Sequence, residues 1–199
     1  AGQPLYLRVI SVGGTPMPDV VRHSTQKLTD DDLKAIAVYL KQLPASAHDP
    51  SAYTASDATA RKLQTGINDS RGAELLVDNC AACHPTDAKG YTNVFPAIAG
   101  NPTVLADDPT SVIRLLLAGS ALPSTALRPS NLGMPGFAER LSDTEIAQLA
   151  TFIRQDFRNN EGGVTADQAK KVRQHLQDEA KAAKAAHDPT AARGGEDAE

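Results

Sequence analysis

Four stretches of this chain repeat apolar residues at three- and four-residue intervals, and a helix-start signal precedes each. Thr29-Asp30-Asp31-Asp32 stands ahead of Leu33, Ile36, Ala37 and Leu40. Asp69 or Ser70 can cap a run through Leu75, Leu76 and Val77 into Cys80. Asp108-Pro109 opens residues 111–118, which Gly119 stops. Ser142-Asp143-Thr144-Glu145 has the form of a capping box before Ile146, Leu149, Ala150 and Ile153. A more polar, alanine-rich stretch at 165–187 is also helix-prone, with Val172 and Leu176 its only large aliphatics. No segment alternates apolar and polar residues as a half-buried strand would. The pattern predicts an all-α fold.

Two parts of the chain echo each other. The run from Leu7 to Gly13 parallels the run from Ile113 to Gly119, and a loop with a Met-Pro pair follows each, Met17-Pro18 and Met134-Pro135. Ala37-Val38-Tyr39-Leu40 then answers Ala150-Thr151-Phe152-Ile153. Residues 1–43 therefore read as the C-terminal half of a domain whose complete version occupies residues 69–160. Residues 44–68, rich in Pro, Ala, Ser, Thr and Asp, read as a linker. Residues 161–199 read as a polar helical extension with a disordered tail from Asp188. Half a domain closes no core, so the expectation is a C-terminal part of a longer polypeptide. A degenerate half-domain packed on the complete one is the alternative.

Composition narrows the class. Aromatic residues make up 4% of the 199 and tryptophan is absent, which is thin for a core built of protein alone. A net charge of −4 argues against nucleic acid as a partner. No apolar run approaches the length of a transmembrane segment.

The chemistry sits in Cys80-Ala81-Ala82-Cys83-His84, which holds both cysteines of the chain. Cys-x-x-Cys-His is the attachment pattern of a c-type haem, with two thiols for the vinyl groups and a histidine for the iron. A large apolar porphyrin would also fill the thin core. A redox disulfide would want a strand before the motif and a parallel sheet around it, and zinc would want further ligands. His23, His48, His175 and His187 are scattered at no ligand spacing. Covalent haem attachment belongs to the cell exterior, so a periplasmic location is expected, with a targeting segment removed or lying upstream.

Other residues fall into roles around that motif. His84 is the first axial ligand, and the carbonyl of Pro96 is the candidate acceptor for its second ring nitrogen, the alternative being an ordinary loop proline. Met134, between Gly133 and Pro135, is the candidate sixth ligand; the alternative is a buried, adaptable methionine. A thioether there raises the reduction potential and closes the site to oxygen or peroxide. Arg114 is either a partner of a haem propionate or an exposed arginine, and Tyr91, Asn93 and Asn101 are weaker propionate candidates. Ile98 and Phe137 belong to the apolar lining. Met17, by the repeat, would ligate a second haem held by an upstream segment.

The arrangement resembles class I cytochrome c domains. The carrying residues are Asn79 to His84, Phe95-Pro96-Ala97-Ile98-Ala99-Gly100-Asn101-Pro102, Gly133-Met134-Pro135-Gly136-Phe137 and Leu141 to Ile146. With the segment from His23 to Asp30, it is similar to the C-terminal part of multi-haem cytochrome c subunits of bacterial membrane-associated alcohol, gluconate, sorbitol and fructose dehydrogenases. The resemblance implies one covalently bound haem c with Cys80 and Cys83 as thioethers and His84 and Met134 as axial ligands. It implies electron relay from a dehydrogenase catalytic subunit, or another redox protein, to a quinone or terminal acceptor. The chain itself would be a non-catalytic component of an oxidoreductase complex. Residues 165–187 depart from the amphipathic membrane-docking segment common in such subunits. Two other functions stay open: a haem enzyme such as a peroxidase or a cytochrome domain fused to a catalytic one, and a haem-free helical interaction module with a disulfide.

Overall fold

A computed structural model describes residues 17–44, 56–91, 94–121, 124–125, 132–159 and 161–186. The repeat partner at 7–13, His48, Asn93, His187 and the tail from Asp188 lie outside the described residues. Helices dominate. In chain order they are α1 (Met17–His23), α2 (Asp30–Gln42), α3 (Ala58–Gln64), α4 (Arg71–Cys80), α5 (Thr110–Ala118), α6 (Asp143–Gln155) and α7 (Ala166–Ala186). A 3-10 turn, Thr25–Lys27, follows α1.

The start signals act as the local chemistry requires. Thr29 and Asp32 form a reciprocal capping box at α2, and Ser142 and Glu145 form another at α6. At α4 the cap is Ser70, whose hydroxyl accepts from the Ala73 amide at 3.2 Å. Asp108 accepts from the Thr110 amide and hydroxyl, so α5 begins one residue before the expected start.

Two features differ from the sequence expectation. Residues 58–64 are helical, within a stretch read as linker, because Ala60 and Leu63 share a face and are buried. Ser120–Ala121 (β1) and Gly133–Met134 (β2) pair antiparallel, Ser120 opposite Met134. A ladder of two residues per strand carries no alternation for the sequence to reveal.

The core lies where α4 packs on α6, and α5 and α6 pack on α7. Leu75, Leu76, Ile113, Leu117, Ile146 and Leu149 are its fully buried side chains of aliphatic type. The α4–α6 crossing is close because Gly72 stands there. A Cβ at Gly72 would strike the Gln148 carbonyl and lie 2.6 Å from the Phe152 Cβ. Arg173 clamps α7 onto the turn before α6, donating to the Asp143 carboxylate at 2.7 Å, to the Leu141 carbonyl at 2.8 Å and to the Ala138 carbonyl. No described helix is long and apolar enough to cross a membrane.

By contrast, α2 buries none of its residues; Ile36, Val38, Tyr39 and Leu40 are exposed. Met17 is the first residue of α1 rather than part of a loop, so its backbone setting differs from that of Met134 in β2.

Candidate haem site

The motif begins on the last residue of α4. Past Cys80 the chain turns tightly, with the Cys83 amide donating to the Cys80 carbonyl at 3.1 Å and the His84 amide to the same oxygen at 2.7 Å. Both thiols are free; Cys80 is buried and Cys83 exposed. Burial, with Cys83 adding a smaller push, raises the Cys80 thiol to about 11.

His84 is half-buried, and its Nδ1 lies 3.0 Å from the Pro96 carbonyl oxygen. A carbonyl can only accept, so Nδ1 carries the proton and donates it, leaving the Nε2 lone pair available. Burial holds the imidazole below its usual range, against a smaller opposing pull from the Pro96 bond. A neutral imidazole is the form that ligates metal. The loop that brings Pro96 there is pinned by the Ala88 carbonyl, which accepts from the amides of Ile98 and Ala99 at 2.9 and 3.0 Å.

Met134 comes from the other side of the chain. Gly119 permits its approach: the glycine has φ 72°, and a Cβ there would strike the Met134 carbonyl and lie 2.7 Å from the Gly136 nitrogen. Beyond Met134, the amides of Phe137 and Ala138 donate to the Leu116 and Leu117 carbonyls at 2.9 and 3.2 Å. The segment is thereby laced to the end of α5.

These parts share one cleft. Its wall contains Cys80, Cys83, His84, Pro96, Ile98, Met134 and Phe137, all named from the sequence. Val104, Val112, Leu115, Leu116 and Ile153 make the rest of the wall strongly apolar. The donor set suits a covalently held haem: one imidazole with a free Nε2, one thioether and two thiols on a single turn, beside an apolar cavity. Among the described residues no three His, Cys, Asp or Glu side chains converge as a metal ion of another kind would need.

Two sequence candidates stand elsewhere. The Arg114 guanidinium donates to both Glu179 carboxylate oxygens of α7, at 2.6 and 3.3 Å, and is no part of the cleft wall. Tyr91 is exposed and sits edge-on to Phe95, with ring centroids 6.1 Å apart. Asn101 does line the cleft, but its amide is committed to the Ala97 carbonyl at 2.8 Å.

Sequence reasoning passed over Arg154. Arg154, 2% exposed, donates to the carbonyls of Val104, Ala106, Asp107 and Gly162, with the Glu161 carboxylate 4.0 Å away. Its signal was available: it continues the buried face of Ile146 and Ala150 at four-residue spacing.

Residues 70–156 match the model of the cytochrome c family. The cytochrome c subunit of alcohol dehydrogenase (quinone) from Gluconobacter oxydans (strain 621H) is 42% identical over 158 residues, covering 79% of this chain and 33% of that protein. The gluconate 2-dehydrogenase cytochrome c subunit of Pantoea cypripedii is 41% identical over 144 residues, 72% of this chain and 33% of the relative. The fructose dehydrogenase cytochrome subunit of Gluconobacter japonicus is 31% identical over 175 residues, 79% and 36% respectively. The chain spans about a third of the length of these curated relatives.

Proposed function

Through residues 70–156 this chain belongs to the cytochrome c family, and from that premise we propose that it transfers electrons by way of one covalently bound c-type haem. A cytochrome c domain implies haem c; when bound, the haem supplies a one-electron couple at its iron. Cys80 and Cys83 would tether the cofactor as thioethers. His84 would present Nε2 to the metal, its ring orientation held by the Pro96 carbonyl. Met134 would present its sulfur as the second protein ligand, from the strand paired in β1–β2. The apolar wall would favour the less charged, reduced iron. On this reading residues 69–160 are the haem-bearing unit of the chain.

The observation that carries the proposal is the single cleft shared by both thiols, an imidazole with its Nε2 free, and Met134. The named relatives are subunits of dehydrogenases. Carried to this chain, the electron donor is a dehydrogenase catalytic subunit and the acceptor a quinone or a terminal redox protein. Covalent haem attachment is extracytoplasmic chemistry, which supports a working place on the periplasmic side of the cytoplasmic membrane.

The test is a reduced-minus-oxidised visible spectrum of the chain matured in a haem-attaching periplasm. Sharp c-type α and β bands, with the weak far-red methionine–iron band when oxidised, support the proposal. A c-type spectrum without that band, or one that shifts at once with carbon monoxide, removes Met134 as ligand. No haem at all overturns the function.

A further inference from the structure

Helix α7 lies wholly beyond residue 156, where the match to the cytochrome c family ends. It is nonetheless seated on the domain: Ala169 is fully buried, and Val172 and Leu176 pack against the core. Arg173 follows Val172, its side chain 18% exposed, and its guanidinium donates to three acceptors on one short stretch of chain. These are the Ala138 carbonyl, the Leu141 carbonyl at 2.8 Å and the Asp143 carboxylate at 2.7 Å. The turn between them is closed by the Phe137 carbonyl, which accepts from the Arg140 and Leu141 amides at 3.0 and 2.9 Å. Arg140 also donates to Asn79 of the cleft wall at 3.0 Å, and Asn79 to the Leu75 carbonyl at 2.9 Å.

This turn continues the segment that carries Met134. Between the two, the chain lies against the end of α5. A Cβ at Gly136 would come within 2.6 Å of the Leu117 carbonyl, and the Phe137 and Ala138 amides donate to the Leu116 and Leu117 carbonyls. Helix α5 is itself bound to α7, through Arg114 and Glu179 at 2.6 and 3.3 Å. The Met134 segment is thus enclosed in a ring of contacts, with β1 opposite it, α5 alongside it and Arg173 of α7 after it. A guanidinium is planar and its donors are fixed in direction, so three acceptors satisfied together leave the turn little room to shift.

We propose that Arg173 is a positioning residue for Met134: by holding the Ala138 and Leu141 carbonyls, it keeps the methionine segment in the conformation that offers its sulfur to the iron. The proposal rests on the reading of this cleft as a haem site with Met134 as a ligand. Arg173 is no part of the cleft wall and acts through the backbone. Whatever fraction of molecules has the segment displaced leaves the iron open to another ligand. Hydrogen bonds from a charged donor contribute more than neutral ones, so their loss enlarges that fraction.

The experiment titrates the oxidised holoprotein with imidazole, following the far-red methionine–iron band, and measures amide hydrogen exchange at Phe137 and Ala138. Added imidazole competes with the Met134 sulfur, so its apparent affinity reports how readily the segment lets go. R173A is expected to bind imidazole about tenfold more tightly and to exchange both amides faster. L63A, a core truncation in α3 outside the cleft wall, lowers stability by another route and is expected to keep the wild-type affinity. Unchanged imidazole affinity or unchanged exchange in R173A overturns the proposal, even if urea unfolding shows a less stable protein, because Arg173 then only fastens a helix. An equal rise in affinity in L63A also overturns it, because the effect then follows from lost stability. Should R173A fail to retain haem, R173K carries the test. A single ammonium cannot span the three acceptors, so its imidazole affinity should rise, and an R173K variant that matches wild type overturns the assignment. Failure of the wild type to show a c-type spectrum or its far-red band refutes the underlying haem and Met134 reading instead, and is distinct from either result.

Discussion

His84 donates a hydrogen bond from Nδ1–H to the carbonyl oxygen of Pro96, twelve residues downstream, across 3.0 Å. The acceptor belongs to the backbone, so no side-chain change at position 96 removes it. What proline adds is a fixed φ that keeps the carbonyl aimed. Pro96→Ala frees that angle and weakens the bond, making the imidazole a poorer electron donor to iron. The expected result is a midpoint potential raised by roughly 40 mV, the one-electron equivalent of about 1 kcal/mol, read by spectroelectrochemistry.

Met134 is the residue on which the potential should turn most. Met134→His retains two axial ligands but replaces a thioether with an imidazole. The far-red band is expected to vanish and the potential to fall, while haem content by pyridine haemochrome stays constant. A potential unchanged in the variant would exclude Met134 from the iron.

Before the haem is attached, the two thiols differ. Cys80 is buried and its thiol is pushed up to about 11, whereas Cys83 is exposed. At pH 8 iodoacetamide should therefore label the folded, haem-free chain at Cys83 and spare Cys80. Labelling at Cys80 is expected to appear only as the pH approaches 11 or the chain is unfolded. Peptide mass mapping checks both sites.

Gly72 lies where α4 and α6 nearly touch, and any Cβ there meets the Gln148 carbonyl. Gly72→Ala forces the helices apart, although alanine is the better helix former. The overpacking should cost about 1–3 kcal/mol, measured by urea unfolding. A variant as stable as wild type would mean the crossing is free to widen.

Arg71 and the Ser142 cap hold Glu145 down to about 2 from 4.5. A depressed carboxyl stabilises the fold fully above about pH 4.5, and that contribution fades as pH falls through about 2. Glu145→Gln should therefore melt below wild type at pH 7. The gap in Tm should narrow below pH 4.5 and close near pH 2. Because the group is exposed, the gap should also shrink in high salt.

How legible each feature was follows the range of the interaction behind it. Both capping boxes could be read because Thr29 with Asp32, and Ser142 with Glu145, interact over three residues. Cys80, Cys83 and His84 announced themselves because their spacing is itself the chemistry. Met134 was conspicuous as a residue between Gly133 and Pro135, yet its pairing with Ser120 was not, being a contact between distant segments with no periodic trace. Arg114 looked available to the cofactor because its partner Glu179 is sixty-five residues away. Arg154 could be placed on the buried face of its helix by its four-residue spacing, but which carbonyls it holds depends on segments that only the fold brings beside it.

The committed asparagines of the cleft carry one more consequence. Asn79 and Asn101 are tied to the backbone carbonyls of Leu75 and Ala97, and their neighbours in the wall are largely hydrocarbon. A wall of this kind has few dipoles at liberty to turn when the charge at its centre changes by one. On the proposed reading of this cleft, little surrounding matter would have to rearrange for an electron to arrive or depart, so the lining would bear on the speed of the exchange.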